Sequence, residues 1–260
     1  MSKQGVILPR GRTLSNRYLI RRATEREAQA VEILQRFGEL SRSPYLSFSG
    51  GKDSLVMTDI ALKIIPGARI LYRDCGATMP GTFELFAELE KRWEKKIEIW
   101  YSKQTIFDVF RQYGLNHPRL EHHTHRILIT ESMKEWLAEN PSVDGYAMGL
   151  RAQESAGRRR LAKYRGSIFK TKWYKKKEMW ACVPLIWWRV EEVWAYIDYY
   201  ELPYHPAYES KHHHPREDLR LGVWAGESNI QWGRWVWLRY YYPELWQELV
   251  REFPEASTYT

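Results

Sequence analysis

Tyr45-Leu46-Ser47-Phe48-Ser49-Gly50-Gly51-Lys52-Asp53-Ser54 runs directly into the apolar stretch Leu55 to Ile65. Alternating bulky residues that end in a Ser-Gly-Gly turn, with a helix-length apolar segment behind it, predict a strand, a tight loop and a helix N-terminus. Such a junction is an anion site. Two glycines remove the Cβ atoms that would hold a phosphate off the backbone, the first helical amides lack intrahelical partners, and the helix dipole adds partial positive charge. Ser49 and Ser54 supply hydroxyl donors and Lys52 a full charge. Asp53 is the odd member, because a carboxylate beside bound phosphate is repulsive unless it holds a cation or orients the loop. The plainer alternative is an ordinary strand-to-helix turn.

Working outward, Pro66-Gly67 is a turn, Arg69 to Asp74 reads as a second strand ending in Cys75-Gly76, Gly81 to Lys95 as an amphipathic helix, and Ile97 to Tyr101 as a third strand. A β-α-β-α-β order predicts an α/β, Rossmann-like, doubly wound and mostly parallel sheet with flanking helices, whose ligand lies at the carboxyl ends of the strands. Thr24 with Glu27 forms a capping box that starts a helix running to about Gly38, leaving residues 1–22 as a basic arm. Short helices are expected from Thr105 to Gly114 and from Ile129 to Glu139. Between them a loop carries His122, His123 and His125, which suggest metal or phosphate contact. Asp144 to Gly149 is a further strand, followed by Gly149-Leu150-Arg151-Ala152-Gln153-Glu154-Ser155 and Arg158. Arginine forks at a strand's carboxyl end can grip phosphate or sulfate, with Glu154 orienting them; salt bridges on a solvated helix are the alternative.

From Arg158 to Lys177 there are ten Lys or Arg and no Asp or Glu, interleaved with Tyr164, Phe169, Trp173 and Tyr174. This predicts a basic segment that contacts DNA or RNA or else is a solvated basic surface, with Gly166 suggesting a hairpin or a mobile basic flap that covers the site. Residues 23–210 are expected to form the nucleotide-binding domain and 211–260 a Trp-rich, helical C-terminal extension that suits a protein partner. A net charge of +8 favours polyanionic ligands. Two cysteines and no apolar run of membrane-spanning length make a cytoplasmic protein, with no membrane contact, the expectation.

Ser49-Gly50-Gly51-Lys52-Asp53-Ser54 is not a Walker A loop, since Leu46 stands where the first glycine would be. It resembles the PP-loop of the adenine-nucleotide α-hydrolase group, which includes ATP pyrophosphatases and phosphoadenosine phosphosulfate (PAPS) reductases. Asp74-Cys75-Gly76 with Pro80 and Thr82 is similar to that family's Asp-Thr-Gly and Pro-Glu-Thr elements. Gly149, Arg151, Glu154, Ser155 and Arg158 match its Gly-x-Arg-x-x-Glu-Ser-x-x-Arg element, and Pro184 to Tyr208 matches its later Trp- and Pro-rich segment. The resemblance, over roughly residues 40–210, implies ATP or PAPS bound by Ser49, Gly50, Gly51, Lys52, Asp53, Ser54, Asp74, Gly149, Arg151, Glu154, Ser155 and Arg158. It also implies Mg²⁺ near Asp53 and Asp74, and Lys52, Asp53 and Arg151 in catalytic roles. The chain departs from the pattern in its thiols. No cysteine follows Cys182, His123 stands at an earlier thiol position, and Gly222-Val223-Trp224-Ala225-Gly226-Glu227 lacks the cysteines of iron–sulfur relatives. Attack on the α-phosphate of ATP, without an Fe–S cluster, is the expected chemistry; a non-catalytic nucleotide-binding module is the alternative.

Overall fold

The computed structural model describes residues 16–115, 117–172, 177–210, 219, 221 and 234–259. Residues 1–15 of the expected basic arm, Lys175 and Lys176, and the 222–227 frame lie outside them.

Strand β1 (Pro44–Phe48) is buried at all positions but Ser47 and forms the hub of the sheet. With β2 (Arg69–Asp74), β3 (Ile97–Tyr101), β4 (Gly145–Met148), β5 (Ile168–Lys172) and β6 (Glu178–Cys182), the order is β3-β2-β1-β4-β6-β5. β1 pairs in parallel with both β2, Leu46 facing Ile70, and β4, Leu46 facing Ala147. β6 runs parallel to β4, and β5 is antiparallel to β6 at the edge. The chain therefore builds outward from β1 through β2 to β3, then returns to place β4 on the other flank of β1. That reversal opens a crevice at the carboxyl ends of β1 and β4, where doubly wound sheets bind ligands. The loop after β1 and the arginine motif after β4 flank it.

The helices are α1 (Asn16–Leu40), α2 (Lys52–Ile64), α3 (Thr82–Trp93), α4 (Ile106–Tyr113), α5 (Leu120–Thr124), α6 (Ser132–Glu139), α7 (Ala156–Arg165) and α8 (Val190–Tyr199). Two local expectations are corrected. α1 begins at Asn16, not at Thr24, because Leu19 and Ala23 continue its apolar face onto Ala195; Thr24 is interior and its hydroxyl donates to the Ile20 carbonyl. The histidine stretch is helical, since α5 passes through a π-turn, His125–Glu131, directly into α6. No glycine or proline interrupts residues 120–139 to make a loop there. By contrast α4 follows the sequence closely, with Thr105 and Asp108 as a capping box and Gly114 at the C-cap. Asp144 fixes the start of β4 by accepting bonds from the Ser41 hydroxyl at 2.6 Å and the amides of Arg42 and Ser43 at 3.0 Å. Burial pushes its carboxyl upward, but these bonds outweigh burial and hold it below the usual range.

The chain groups into two compact units. One comprises 1–72, 83–99 and 137–205; the other comprises 73–82, 100–136 and 206–260. Within the second, the C-terminal segment joins the helices of the 100–136 stretch. Phe253 stacks on Phe107 and meets Phe110 edge-on, and Arg111 pairs with Glu252 at 2.5 Å. Among the described residues no helix is long and apolar enough to cross a membrane.

Candidate functional site

Ser54 organises the loop after β1. Its hydroxyl donates to the Gly51 carbonyl at 2.9 Å and accepts the Ser49 amide at 3.1 Å. With that single proton committed, Ser49 is the donor in the 3.1 Å contact between the two hydroxyls. Gly50 sits at φ +72°, a left-handed conformation that a side chain would strain. Gly51 is the N-cap of α2, and no side chain caps that helix. The first turn of α2 thus opens at the carboxyl end of β1 with its dipole directed at the crevice.

Lys52 and Arg151 are each only 3 % exposed, a burial that charged groups tolerate only when paired. Both reach Asp53. Arg151 Nε lies 2.5 Å from Oδ1 and Lys52 Nζ lies 3.3 Å from Oδ2, so one half-buried carboxylate stands between two cations. Arg151 Nη1 also donates to Gln153 Oε1 at 2.9 Å, and the same oxygen accepts the Val190 amide at 3.0 Å. Gln153 is the residue that sequence reading passed over; its only signal is its place inside the arginine motif. Glu154 accepts the Arg151 amide at 2.9 Å and pairs with Arg158, while Ser155 caps α7 by accepting the Arg158 amide.

Gly149 brings the two motifs together. A Cβ there would meet the Asp53 carbonyl oxygen at 2.5 Å and the Ser54 nitrogen at 2.7 Å, distances that real Cβ atoms do not adopt. Ser49, Gly50, Gly51, Lys52, Asp53, Ser54, Gly149, Arg151, Glu154, Ser155 and Arg158 accordingly form one bonded or touching set.

The other expected site residues belong to the second unit. Asp74 ends β2, and its carboxylate accepts the Gly76 amide at 2.7 Å. Gly76 has φ +79°, and a Cβ there would run into Thr105 at 2.7 Å. His123 stacks on Tyr113, with centroids 3.8 Å apart and planes 9° from parallel, and His117 and His122 meet it edge-on. Desolvation first, then the neighbouring His117 and Arg126 charges, holds the His123 imidazole below its ordinary value. Each oxygen of Asp53, one of the two expected Mg²⁺ residues, faces a cation, Oδ1 towards Arg151 and Oδ2 towards Lys52. Among the described residues no group of three or more His, Cys, Asp or Glu is arranged to hold a metal ion. Cys75 and Cys182 are free and buried, and burial pushes the Cys182 thiol far above its ordinary value.

Comparison with known proteins gives a consistent picture. Residues 43–228 match the model of the phosphoadenosine phosphosulfate reductase domain. Adenosine 5'-phosphosulfate reductase of Allochromatium vinosum is 26 % identical over 220 residues, covering 82 % of this chain and 81 % of that protein. Adenosine 5'-phosphosulfate reductase 2 of Bacillus subtilis is 25 % identical over 203 residues, covering 71 % and 80 %. Among solved structures, phosphoadenylyl-sulfate reductase from Candida auris in a phosphate complex superposes with a TM-score of 0.54 at 18 % identity, over 79 % of this chain and 94 % of that one. Candida glabrata FMN adenylyltransferase, in complex with FMN and an ATP analogue, superposes with a TM-score of 0.53 at 16 % identity, over 73 % of this chain and 62 % of that one. At these identities the two structures share the fold.

Proposed function

Because the chain belongs to the phosphoadenosine phosphosulfate reductase domain family, we propose that it binds ATP or PAPS with its phosphates on the Ser49–Ser54 loop and Arg151, and that with ATP it transfers the adenylyl group. An acceptor oxygen, nitrogen or sulfur would form a bond to the α-phosphorus while the bond to the β-bridging oxygen breaks. Pyrophosphate leaves, and the acceptor's proton passes to solvent. The observation that carries this reading is the buried Lys52–Asp53–Arg151 cluster at the start of α2. In this reading Asp53 holds the two cations until a polyphosphate replaces it, and they then face the charge developing on the leaving pyrophosphate. Glu154 and Gln153 hold the arginine motif in register.

Two features shape the proposal. The reductases in this family are named for a redox reaction, but both cysteines here are buried, and burial pushes the Cys182 thiol far above its ordinary value, so the chemistry proposed uses no protein thiol. In this reading Asp53 is released only when the polyphosphate takes its two cations, so Mg²⁺ enters on the triphosphate as part of the substrate, and the released carboxylate would then be placed to meet it. The same self-pairing of Arg151 with Asp53 and Arg158 with Glu154 favours a second reading, a module that retains the nucleotide without turnover and presents its basic surface to DNA or RNA. Calorimetric titration with ATP and with PAPS, alongside a pyrophosphate-release assay with Mg²⁺-ATP and candidate acceptors, separates them. Binding with release supports the enzyme, binding without release supports the module, and absence of both overturns the loop assignment.

A further inference from the structure

Among the described residues of the basic run, 158–172 lie in two elements, α7 and the edge strand β5, joined through Gly166. α7 opens with Ala156 and Gly157, follows them with Arg158, Arg159 and Arg160, and has no acid in its first turn, although the helix dipole favours acids there. Arg159 and Lys163, four residues apart, set like charges side by side, which costs an isolated helix a few tenths of a kcal/mol. Arg159, Arg160, Lys163, Tyr164 and Arg165 are exposed, as are Lys170 and Lys172, two apart on one face of β5. The nearby carboxylates Glu154 and Glu178 are taken by Arg158 and Lys170. Folding recovers little of the cost of this arrangement.

Aromatic rings are set among the cations. Tyr164 is 76 % exposed with Lys163 Nζ 5.7 Å from its ring, Arg165 lies 4.6 Å over Phe169, and Lys170 lies 5.2 Å over Trp180. A free nucleotide has too few phosphates to engage cations spread over two elements. An anionic membrane would want aliphatic side chains to insert, but Ala162 is buried and Leu161 packs inward on its cluster. We propose that the α7–β5 face binds single-stranded nucleic acid, its phosphates tracked by Arg159, Arg160, Lys163 and Lys172 and a base stacked on Tyr164. Backbone-tracking cations with sequence-tolerant stacking rings are the composition such surfaces use. The inference is independent of the nucleotide site.

The test is fluorescence anisotropy of the whole chain with a labelled oligothymidylate of about 20 nucleotides, the corresponding duplex, and polyglutamate, across a salt series. The single strand should bind at about 50 mM salt, and the combined R159Q, R160Q and K172Q variant should lower the slope of log affinity against log salt by about 2. Tyr164→Ala should weaken single-strand binding about tenfold and leave the slope in place. These residues are exposed, so thermal melts of the variants should overlay the parent, and ATP or PAPS binding should not change in any of them. Loss of nucleotide binding in the parent would count against the loop proposal and not this one. No single-strand binding at low salt, equal binding of polyglutamate or duplex, or an unchanged slope in the triple variant would overturn it.

Discussion

Helix α2 carries two carboxylates with opposite surroundings. Asp59, 5 % exposed, accepts Trp93 Nε1 at 2.9 Å on one oxygen and the Tyr196 hydroxyl at 2.7 Å on the other, with Lys63 at 3.0 Å. Lys63 donates to the Tyr196 oxygen and lies 4.2 Å over the Tyr200 ring, and Tyr200 donates to Glu27. That network joins α1, α2, α3 and α8 mainly through neutral donors fixed by packing. Asp53, by contrast, is met by two cations, both on segments that border the crevice. Asp59, in the middle of the helix, is more buried than Asp53 in its first turn, so burial alone does not identify a site. The kind of partner does: neutral donors from packed helices mark a scaffold, whereas cations gathered on one carboxylate mark groups that another anion can claim.

This contrast is most directly broken at Asp59. Asp59→Ala strands the Tyr196 and Trp93 donors and should cost about 3 kcal/mol of stability, read as a lower denaturant midpoint, with nucleotide affinity of the folded fraction intact. A variant that melts normally but loses nucleotide would reverse the assignment of the two clusters. Lys52→Ala should do the opposite, weakening ATP or PAPS binding by about 2 kcal/mol, roughly thirtyfold, through loss of a charge-assisted contact. Its melting midpoint should stay close to that of the parent, and equal nucleotide affinity in calorimetry would sink the loop assignment.

A subtler measurement sharpens the view of Asp53 as an internal stand-in for phosphate. Asp53→Asn removes the negative charge set between Lys52 and Arg151 and should tighten inorganic pyrophosphate binding by about 1 kcal/mol, some fivefold, even if turnover falls. Weaker pyrophosphate binding would show that the carboxylate orients the loop and does not compete with the ligand.

One effect is absent at neutral pH. Burial first, and then Asp59, raises the Tyr196 hydroxyl above its ordinary value of 10.0, and burial with Glu27 raises Tyr200 as well. A folded pKa above the unfolded one means stability is complete below pH 10 and declines as pH climbs past it, by about 1.4 kcal/mol per pH unit for each such group. Tyr196→Phe should give a shallower decline in denaturant midpoint between pH 9 and 11. An unchanged slope would remove Tyr196 from the network's alkaline response.

The loop, the parallel sheet and the arginine motif were legible because each rests on local chemistry: a Ser-Gly-Gly turn, alternating strand residues, and arginines just past a strand end. The capping signal at Thr24 misled because a cap pattern is local, while the length of α1 is decided by Leu19 and Ala23 reaching Ala195. The histidine stretch misled because polar composition suggested a loop, and a π-turn lets the helix carry it. The pairing of Asp53 with Arg151, 98 residues apart, was invisible from either motif alone. Each looked like a ligand for something outside the protein. Only the return of the chain to the far flank of β1 reveals that they meet each other first.

Gly149 turns that meeting into a rule for anyone who would move or redesign this loop. Its bare α-carbon lets the end of β4 press on the carbonyl of Asp53, so displacement of one motif is transmitted to the other by contact. The Ser-Gly-Gly turn is therefore not a cassette that can be grafted alone. A transplant that omits the neighbouring strand end would leave the turn without its arginine, and one that carries the strand end with alanine at 149 would jam the helix it was meant to seat.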